Sequence, residues 1–108
     1  MNEQIIFLER TLSGNGKHGI NWTEGPARAR KEGKAQGQFK SPADLEFVLA
    51  SAKDIGVGGQ QVINLPGDST SILHQPDGTT IAAKRVYIKV YQSGKVHAFP
   101  CEDGYLTR

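Results

Sequence analysis

The stretch that decides the fold is KRVYIKVYQSGKVHAFP, residues 84–100. Between residues 86 and 90, β-branched side chains alternate with polar or aromatic ones, which is the two-residue period of a strand with one buried face. Ser93-Gly94 interrupts the alternation, and residues 95–99 resume it. The stretch therefore predicts two antiparallel strands joined by a tight turn.

The length of that turn determines which face of the hairpin carries His97. A two-residue loop, Ser93-Gly94, would place His97 opposite Val90, whereas a three-residue loop with glycine in the left-handed position would pair it with Lys89. Because a one-residue slip moves every side chain to the other face, we favour the three-residue loop, which collects a consistently apolar face. That face consists of Val86, Ile88, Val90, Val96 and Ala98. The opposite face is cationic and aromatic, and consists of Arg85, Tyr87, Lys89, Tyr91, Lys95, His97 and Phe99.

The length and composition indicate one soluble globular domain spanning residues 1–108. The chain is 37% hydrophobic and 22% charged, as in folded soluble proteins. No apolar run approaches the ~20 residues of a membrane helix, and the N-terminus lacks a signal-peptide pattern. The single cysteine, Cys101, excludes an internal disulfide and a cysteine-based zinc site. We expect it to be an inert thiol beyond the last strand.

The net charge of +2 conceals an uneven distribution. Residues 26–40 carry five bases against Glu32 alone, which gives this segment a local charge of +4. The bases are Arg28, Arg30, Lys31, Lys34 and Lys40. Such a run is usually a solvated helix face, and the sharper alternative is an edge that binds phosphate.

Three segments are predicted to be helical. Residues 2–12 have apolar side chains at helical spacing, although residues 5–8 could instead form a short strand. A second helix runs from Pro26 to about residue 32, because proline suits a first turn and Gly33 can end it. Residues 41–55 carry the strongest signals: an N-cap serine, a proline at the first helical position and an apolar stripe to pack on a sheet.

The remaining segments predict antiparallel strands. Residues 61–65 and 69–74 are strands, and residues 34–39 are a loop or a short extended piece. The turn Pro76-Asp77-Gly78 predicts a three-residue hairpin that places His74 opposite Thr80. We therefore expect an α+β domain in which N-terminal helical segments pack on a four- to five-stranded antiparallel sheet.

Two histidines on predicted strands, His74 and His97, are candidate catalytic residues, whereas His18 is assigned to a loop. A lone strand histidine is more often structural than catalytic. Two of them on a small sheet, with Arg85, Lys89 and two tyrosines, are more suggestive of chemistry.

This set of side chains suits RNA cleavage without a metal ion. One group takes the proton of the ribose 2′-OH, a cation stabilises the phosphorane, and a second group protonates the leaving 5′-oxygen, which yields a 2′,3′-cyclic phosphate. Histidine titrates near neutral pH, and aromatic rings stack exposed bases at about 1–3 kcal/mol per base. The sequence offers no metal-ligand cluster, and we expect neither a metal nor a cofactor.

Four segments carry a resemblance to a known group of proteins: INWTEGPARARKEGKAQGQF, SPADLEFVLASA, TSILHQPDGTTIAAKRVYIKV and GKVHAFP. Together they resemble the C-terminal toxin domains of bacterial polymorphic toxins, of the Rhs, filamentous-haemagglutinin and contact-dependent inhibition types. Several such domains look like the barnase/EndoU/colicin/RelE class of ribonucleases. The resemblance covers roughly residues 20–100, which leaves 1–19 as an N-terminal helix and loop and 101–108 as a tail.

The resemblance implies a function and a set of site residues. It implies a toxin that cleaves RNA, with tRNA among the candidate substrates, in competition between bacteria. The toxin would be delivered from the producing bacterium as part of a larger secreted effector, act in the target-cell cytoplasm and be neutralised by an acidic cognate immunity protein. The implied catalytic residues are His74, Thr80, Arg85 and His97. With the residues suggested by charge, the substrate-binding candidates are Arg28, Arg30, Lys31, Lys34, Gln36, Tyr87, Lys89 and Tyr91. The chain departs from the group in its modest net charge and in lacking a Lys/His pair on the first helix.

Three other interpretations stay open from the sequence. The cationic aromatic face could belong to a non-catalytic module that binds nucleic acid or protein. The chain could be a toxin of other chemistry, such as a nucleotide-modifying transferase. It could also be an unrelated structural domain whose histidines are buried and inert.

Overall fold

The structure, a computed structural model, describes residues 17–103 and 105 together with the backbone of residues 7–8. The described part has an α+β fold with two helices, α1 (Gly25–Glu32) and α2 (Pro42–Ile55). Its strands are β1 (Phe7–Leu8), β2 (Gln36–Gln38), β3 (Gln60–Asn64), β4 (Ile72–His74), β5 (Thr80–Ala82), β6 (Arg85–Val90) and β7 (Lys95–Cys101). The predicted α+β class is therefore confirmed.

The strands lie in two sheets, whereas the sequence led us to expect one. One sheet has the order β1-β7-β6-β3 and the other the order β2-β4-β5, and all pairs except β1–β7 are antiparallel. The chain passes from one sheet to the other at Ala83 and Lys84. Ala83 N–H donates to the carbonyl of Ser71, whereas the Lys84 carbonyl accepts from Leu65 N–H, both at 2.9 Å. Two consecutive residues thus bond to segments of different sheets: Ala83 to the residue before β4, and Lys84 to the residue after β3. Strand β5 accordingly belongs to one sheet and β6 to the other.

The N-terminal segment corrects one prediction. Phe7–Leu8 forms a strand that pairs in parallel with Lys95 and Val96. These two residues are therefore not part of the helix that we predicted over residues 2–12. The short strand that we left as the alternative for residues 5–8 is the better description, since aromatic and β-branched residues favour strands. The rest of both predictions lies outside the described residues.

The registers of both predicted hairpins are confirmed. Lys89 pairs with His97, and Tyr91 N–H donates to the Lys95 carbonyl at 2.9 Å across a three-residue loop. The second hairpin pairs His74 with Thr80. Gly94 and Gly78 occupy the positive-φ positions that these turns require. All five residues of the predicted apolar face, Val86, Ile88, Val90, Val96 and Ala98, are completely buried.

Helix α2 covers the buried face of the larger sheet. Ser41 caps its first turn by accepting a hydrogen bond from Asp44 N–H at 3.4 Å, as predicted, and the helix packs on β6 and β7. The buried Asp44 carboxylate also accepts hydrogen bonds from the hydroxyls of Ser69 and Ser71, at 2.6 and 2.5 Å. Because a carboxylate needs donors when it leaves water, these bonds fix the loop before β4 onto the helix.

The two sheets touch where β2 crosses β7. A Cβ atom on Gly37 would lie 2.0 Å from the carbonyl oxygen of Pro100, so only glycine fits at this crossing. Strand β7 also runs further than we predicted, because Cys101 still pairs with Arg85 of β6. Cys101 is thus a buried strand residue, and its burial raises the pKa of the thiol to about 11. A thiol with so high a pKa is unreactive near neutral pH, as expected.

Candidate active site

A cleft of about 470 Å³ opens beside the crossing of β2 and β7. Residues from the segment before α1, from the end of α1, from β2 and from β7 meet around it. The titratable and amide side chains that line it are Lys17, His18, Glu32, Lys34, Gln36, His97 and Glu102, and the aromatic ones are Phe99 and Tyr105. The cleft thus combines two imidazoles, two lysines and two aromatic rings.

The side chain of His18 is held by one hydrogen bond to the backbone of β2 and by contacts with two aromatic rings. Its Nδ1 lies 2.7 Å from the Gly37 carbonyl, to which it can only donate, and this leaves Nε2 as the proton-accepting nitrogen of the neutral ring. The ring stacks on Phe99 at 5.1 Å between centroids and lies 5.1 Å from the ring of Trp22. Its φ of 69° is in the left-handed region, which is uncommon for residues other than glycine, although histidine adopts it more readily than most.

The environment of His18 favours its neutral form. Burial is the largest cause and lowers the pKa of His18 to about 4, although the bond to Gly37 opposes the shift. The positive charges of Lys17, His97 and Arg28 lower this pKa further. At neutral pH His18 is therefore uncharged, with Nε2 as its proton-accepting nitrogen.

This shift predicts a pH dependence of stability. The pKa of His18 is lower in the folded chain than the ordinary 6.5, so the unfolded chain binds the extra proton and stability falls as the pH drops from about 6.5 towards 4. Between about pH 7.5 and pH 5, the free energy of unfolding should fall by about 2 kcal/mol more in the wild type than in His18→Asn. Urea denaturation of both proteins at the two pH values measures this difference. Parallel losses in the two proteins would show that His18 does not titrate as described.

His97 lines the same cleft from strand β7. It lies on β7 opposite Lys89, and its ring meets the edge of Phe99 at 5.6 Å and that of Tyr87 at 6.3 Å. His18 and His97 therefore both contact the ring of Phe99.

The end of α1 supplies the charged rim of the cleft. Arg28 donates to Glu32 at 3.3 Å, and Gln36 donates to the second oxygen of Glu32 at 3.1 Å. The bond from Arg28 is the largest cause of the lowered pKa of Glu32, and Lys17 and Lys34 act in the same direction. One carboxylate thus lies among several cations that could each contact an anionic ligand.

The residues predicted from sequence are only partly brought together. His97, Lys34 and Gln36 line the cleft; Arg28 reaches its rim through Glu32, and Tyr87 contacts His97. Lys89 lies beside His97 in the sheet, with its ammonium 5.0 Å from the ring of Tyr91.

Four other predicted site residues lie away from the cleft. Arg30 and Lys31 are exposed on α1, and Thr80 is exposed on β5. Arg85 donates to the Val62 carbonyl at 3.4 Å, and none of these last four residues lines the cleft.

His74 is buried and does not line the cleft. Its Nε2 lies 2.7 Å from Oε1 of Gln38, and its ring meets the edge of Trp22 at 6.4 Å. Burial, followed by the charge of Lys40, lowers the pKa of His74. The structure therefore separates the two histidines that we expected to act together.

Sequence reasoning missed five of the polar or aromatic residues of the cleft: Lys17, His18, Glu32, Glu102 and Tyr105. His18 lies in a glycine-rich segment without periodicity, so no pattern of strand or helix marked it. Tyr105 was assigned to a tail. The one local signal was an imidazole beside a glycine in a segment rich in turn-forming residues, and many surface loops share it.

Comparison with protein-family models, with curated proteins and with solved structures gives no match for this chain. Within the described residues, no helix has the length and apolarity needed to cross a membrane. The same residues contain no group of three or more histidine, cysteine, aspartate or glutamate side chains that could hold a metal ion. What the site does must therefore be argued from the geometry of the cleft.

Proposed function

We propose that this protein is an endoribonuclease that cleaves RNA without a metal ion through a 2′,3′-cyclic phosphate. The observation that supports this most is that His18 and His97 contact the same Phe99 ring in a cleft lined by Lys17 and Lys34. His18 takes the place of His74, which the sequence alone suggested as the second catalytic histidine beside His97. Two imidazoles and a cation are the groups that this reaction needs.

The reaction assigns a different task to each imidazole. Nε2 of neutral His18 accepts the proton of the ribose 2′-OH, and the 2′-oxygen then attacks phosphorus. The bond from phosphorus to the 5′-oxygen breaks as protonated His97 gives its proton to that oxygen. Lys17 and Lys34 stabilise the charge that builds up on the phosphorane oxygens. General acid–base catalysis of this kind typically contributes about 10²–10⁴-fold in rate.

The substrate we propose is RNA with unpaired bases. The cleft is bounded by Phe99 and Tyr105, whose rings lie 5.5 Å apart, and a base must leave its helical stack to reach such rings. Loops and single strands meet this condition, and paired stems do not.

The biological setting follows from the sequence resemblance. We propose a toxin that forms part of a larger effector from a producing bacterium and acts on RNA in the cytoplasm of the target cell. Its cognate immunity protein would be acidic, because residues 26–40, which border the cleft, carry five bases against Glu32 alone. Charge complementarity favours fast association of such a pair.

Product analysis tests the reaction. The purified chain, in the presence of a chelator, should cut a single-stranded RNA oligonucleotide into fragments that end in a 2′,3′-cyclic phosphate, identified by mass spectrometry. The same oligonucleotide with 2′-O-methyl groups throughout is the control and should stay intact, because its 2′-oxygen has no proton to lose. A perfectly paired duplex should be cut much more slowly.

Several results would contradict the proposal. Products that end in a 3′-hydroxyl, or activity that the chelator abolishes, would refute the mechanism. Intact RNA together with growth arrest on induced expression would indicate a toxin of other chemistry. Intact RNA and normal growth would favour a binding or structural module.

A further inference from the structure

Three successive residues of the β2 segment hold the loop that carries His18. The Gly37 carbonyl accepts from His18 Nδ1 at 2.7 Å, and Phe39 N–H donates to the His18 carbonyl at 2.9 Å. Between them, Nε2 of Gln38 lies 3.0, 3.1 and 2.8 Å from the carbonyls of Gly19, Ile20 and Trp22. The side chain of Gln38 is buried, and it binds the backbone that directly follows His18.

The hydrogen bonds determine how Gln38 and His74 are oriented. Since three carbonyls surround one end of the Gln38 amide, that end must be the NH₂ group, and Oε1 must face His74. Oε1 can only accept, so His74 donates from Nε2. Its Nδ1 is buried without a hydrogen-bond partner among the described residues. The neutral Nε2–H form is therefore the one that fits this environment, because a proton on Nδ1 would be buried and unpaired.

We propose that Gln38 and His74 are positioning residues for His18, and that His74 takes no part in proton transfer to the substrate. Gln38 sets the path of the loop through its three carbonyls, and His74 sets the orientation of Gln38. Together they keep His18 Nδ1 on Gly37, which leaves Nε2 as the proton acceptor. This positioning role rests on the proposed function only for the reaction that His18 serves.

Close packing supports this coupling between His74 and the loop. A Cβ atom on Gly25 would lie 2.4 Å from Cδ2 of His74, so the start of α1 fixes the ring from one side while Trp22 meets its edge. Burying polar groups costs more free energy than burying apolar side chains of the same shape. The hydrogen bonds of such a network, in return, specify one arrangement of its side chains.

Matched variants separate a positioning role from a catalytic one. His74→Gln keeps an N–H donor near the place of Nε2, whereas His74→Leu and Gln38→Met remove the hydrogen bonds. We expect His74→Gln to cleave RNA within about threefold of the wild-type kcat, since glutamine cannot transfer protons but can orient Gln38. His74→Leu and Gln38→Met should lose about 100-fold in kcat with little change in KM, as expected for a misplaced catalytic group. A His74→Gln enzyme as inactive as His74→Leu would overturn the positioning role.

A second measurement does not depend on cleavage or on the variants folding. Long-range ¹H–¹⁵N spectra of the wild-type chain should show His18 protonated on Nδ1 and His74 protonated on Nε2 at neutral pH. In folded His74→Leu the preference of His18 for Nδ1–H should weaken. Wild-type His18 protonated on Nε2 would overturn the inference. A chain that shows both expected tautomers but cuts no RNA would refute the proposed function and leave the positioning of His18 intact.

Discussion

His18→Asn is expected to lower the rate of RNA cleavage by about 10²–10⁴-fold while the protein stays folded. Asparagine is chosen for two reasons. It tolerates the left-handed backbone at this position, where φ is 69°. Its amide N–H can also replace Nδ1–H as the donor to the Gly37 carbonyl. The substitution therefore removes the proton-accepting nitrogen together with the ring contacts to Phe99 and Trp22, and it keeps the backbone conformation and the bond to Gly37. The measurement is kcat on a single-stranded oligonucleotide, with circular dichroism to confirm the fold.

Two further variants, one of the proposed acid and one control, are needed to interpret this result. His97→Asn should cause a loss of similar size, because the acid and the base act in the same step. Lys53→Ala is the matched control: it removes an exposed cation from the last turn of α2, away from the cleft, and should leave the rate unchanged. If His18→Asn cleaved RNA at the wild-type rate, His18 would not be the base.

Gly37→Ala is expected to cause the largest loss of stability of the substitutions considered. The added Cβ would lie 2.0 Å from the Pro100 carbonyl oxygen and 2.7 Å from the carbonyl carbon. Both are backbone atoms of β7, so no flexible side chain can move aside. We expect a decrease of about 3 kcal/mol in the free energy of unfolding, at the upper end of what overpacking costs. Because Gly37 also accepts the bond from His18, activity should fall even in the molecules that remain folded.

Gly67→Ala is the matched control for this prediction. A Cβ atom on Gly67 meets nothing within 4 Å, and its φ is not positive. Alanine should therefore be neutral there or stabilise by about 0.4–1 kcal/mol, through the lower entropy of the unfolded chain. Urea denaturation midpoints and m-values of both variants measure the effects. A Gly37→Ala protein as stable as Gly67→Ala would mean that β2 does not cross β7 as closely as described.

The sequence predicted the local structure well, because local rules determine it. The registers at Gly94 and Gly78 follow from turn geometry, and the start of α2 follows from its capping serine and proline. The division of the strands into two sheets could not be predicted. It depends on whether Ala83 and Lys84 continue the hydrogen bonds of one sheet or bond to segments of two different sheets. That choice depends on packing between distant parts of the chain.

The candidate site was predictable to the extent that it lies on regular strands. The face of His97 follows from the period of β7 once the turn length is known. No regular alternation of apolar and polar residues surrounds His18 in the sequence. Its burial comes from the ring of Phe99, which is remote in the sequence, and from the ring of Trp22, which lies in the irregular segment before α1. Because His74 also alternates correctly along its strand, the pattern alone could not distinguish a buried histidine from one in a cleft.

The crossing of β2 and β7 also sets the moment at which the cleft can form during synthesis. His18 and its loop leave the ribosome before Phe99 and His97, which come later in the sequence. The cleft therefore cannot exist on any nascent chain that still lacks β7. A translation product truncated before β7 would carry the proposed base without its partner acid, and the complete site can form only once β7 has left the ribosome.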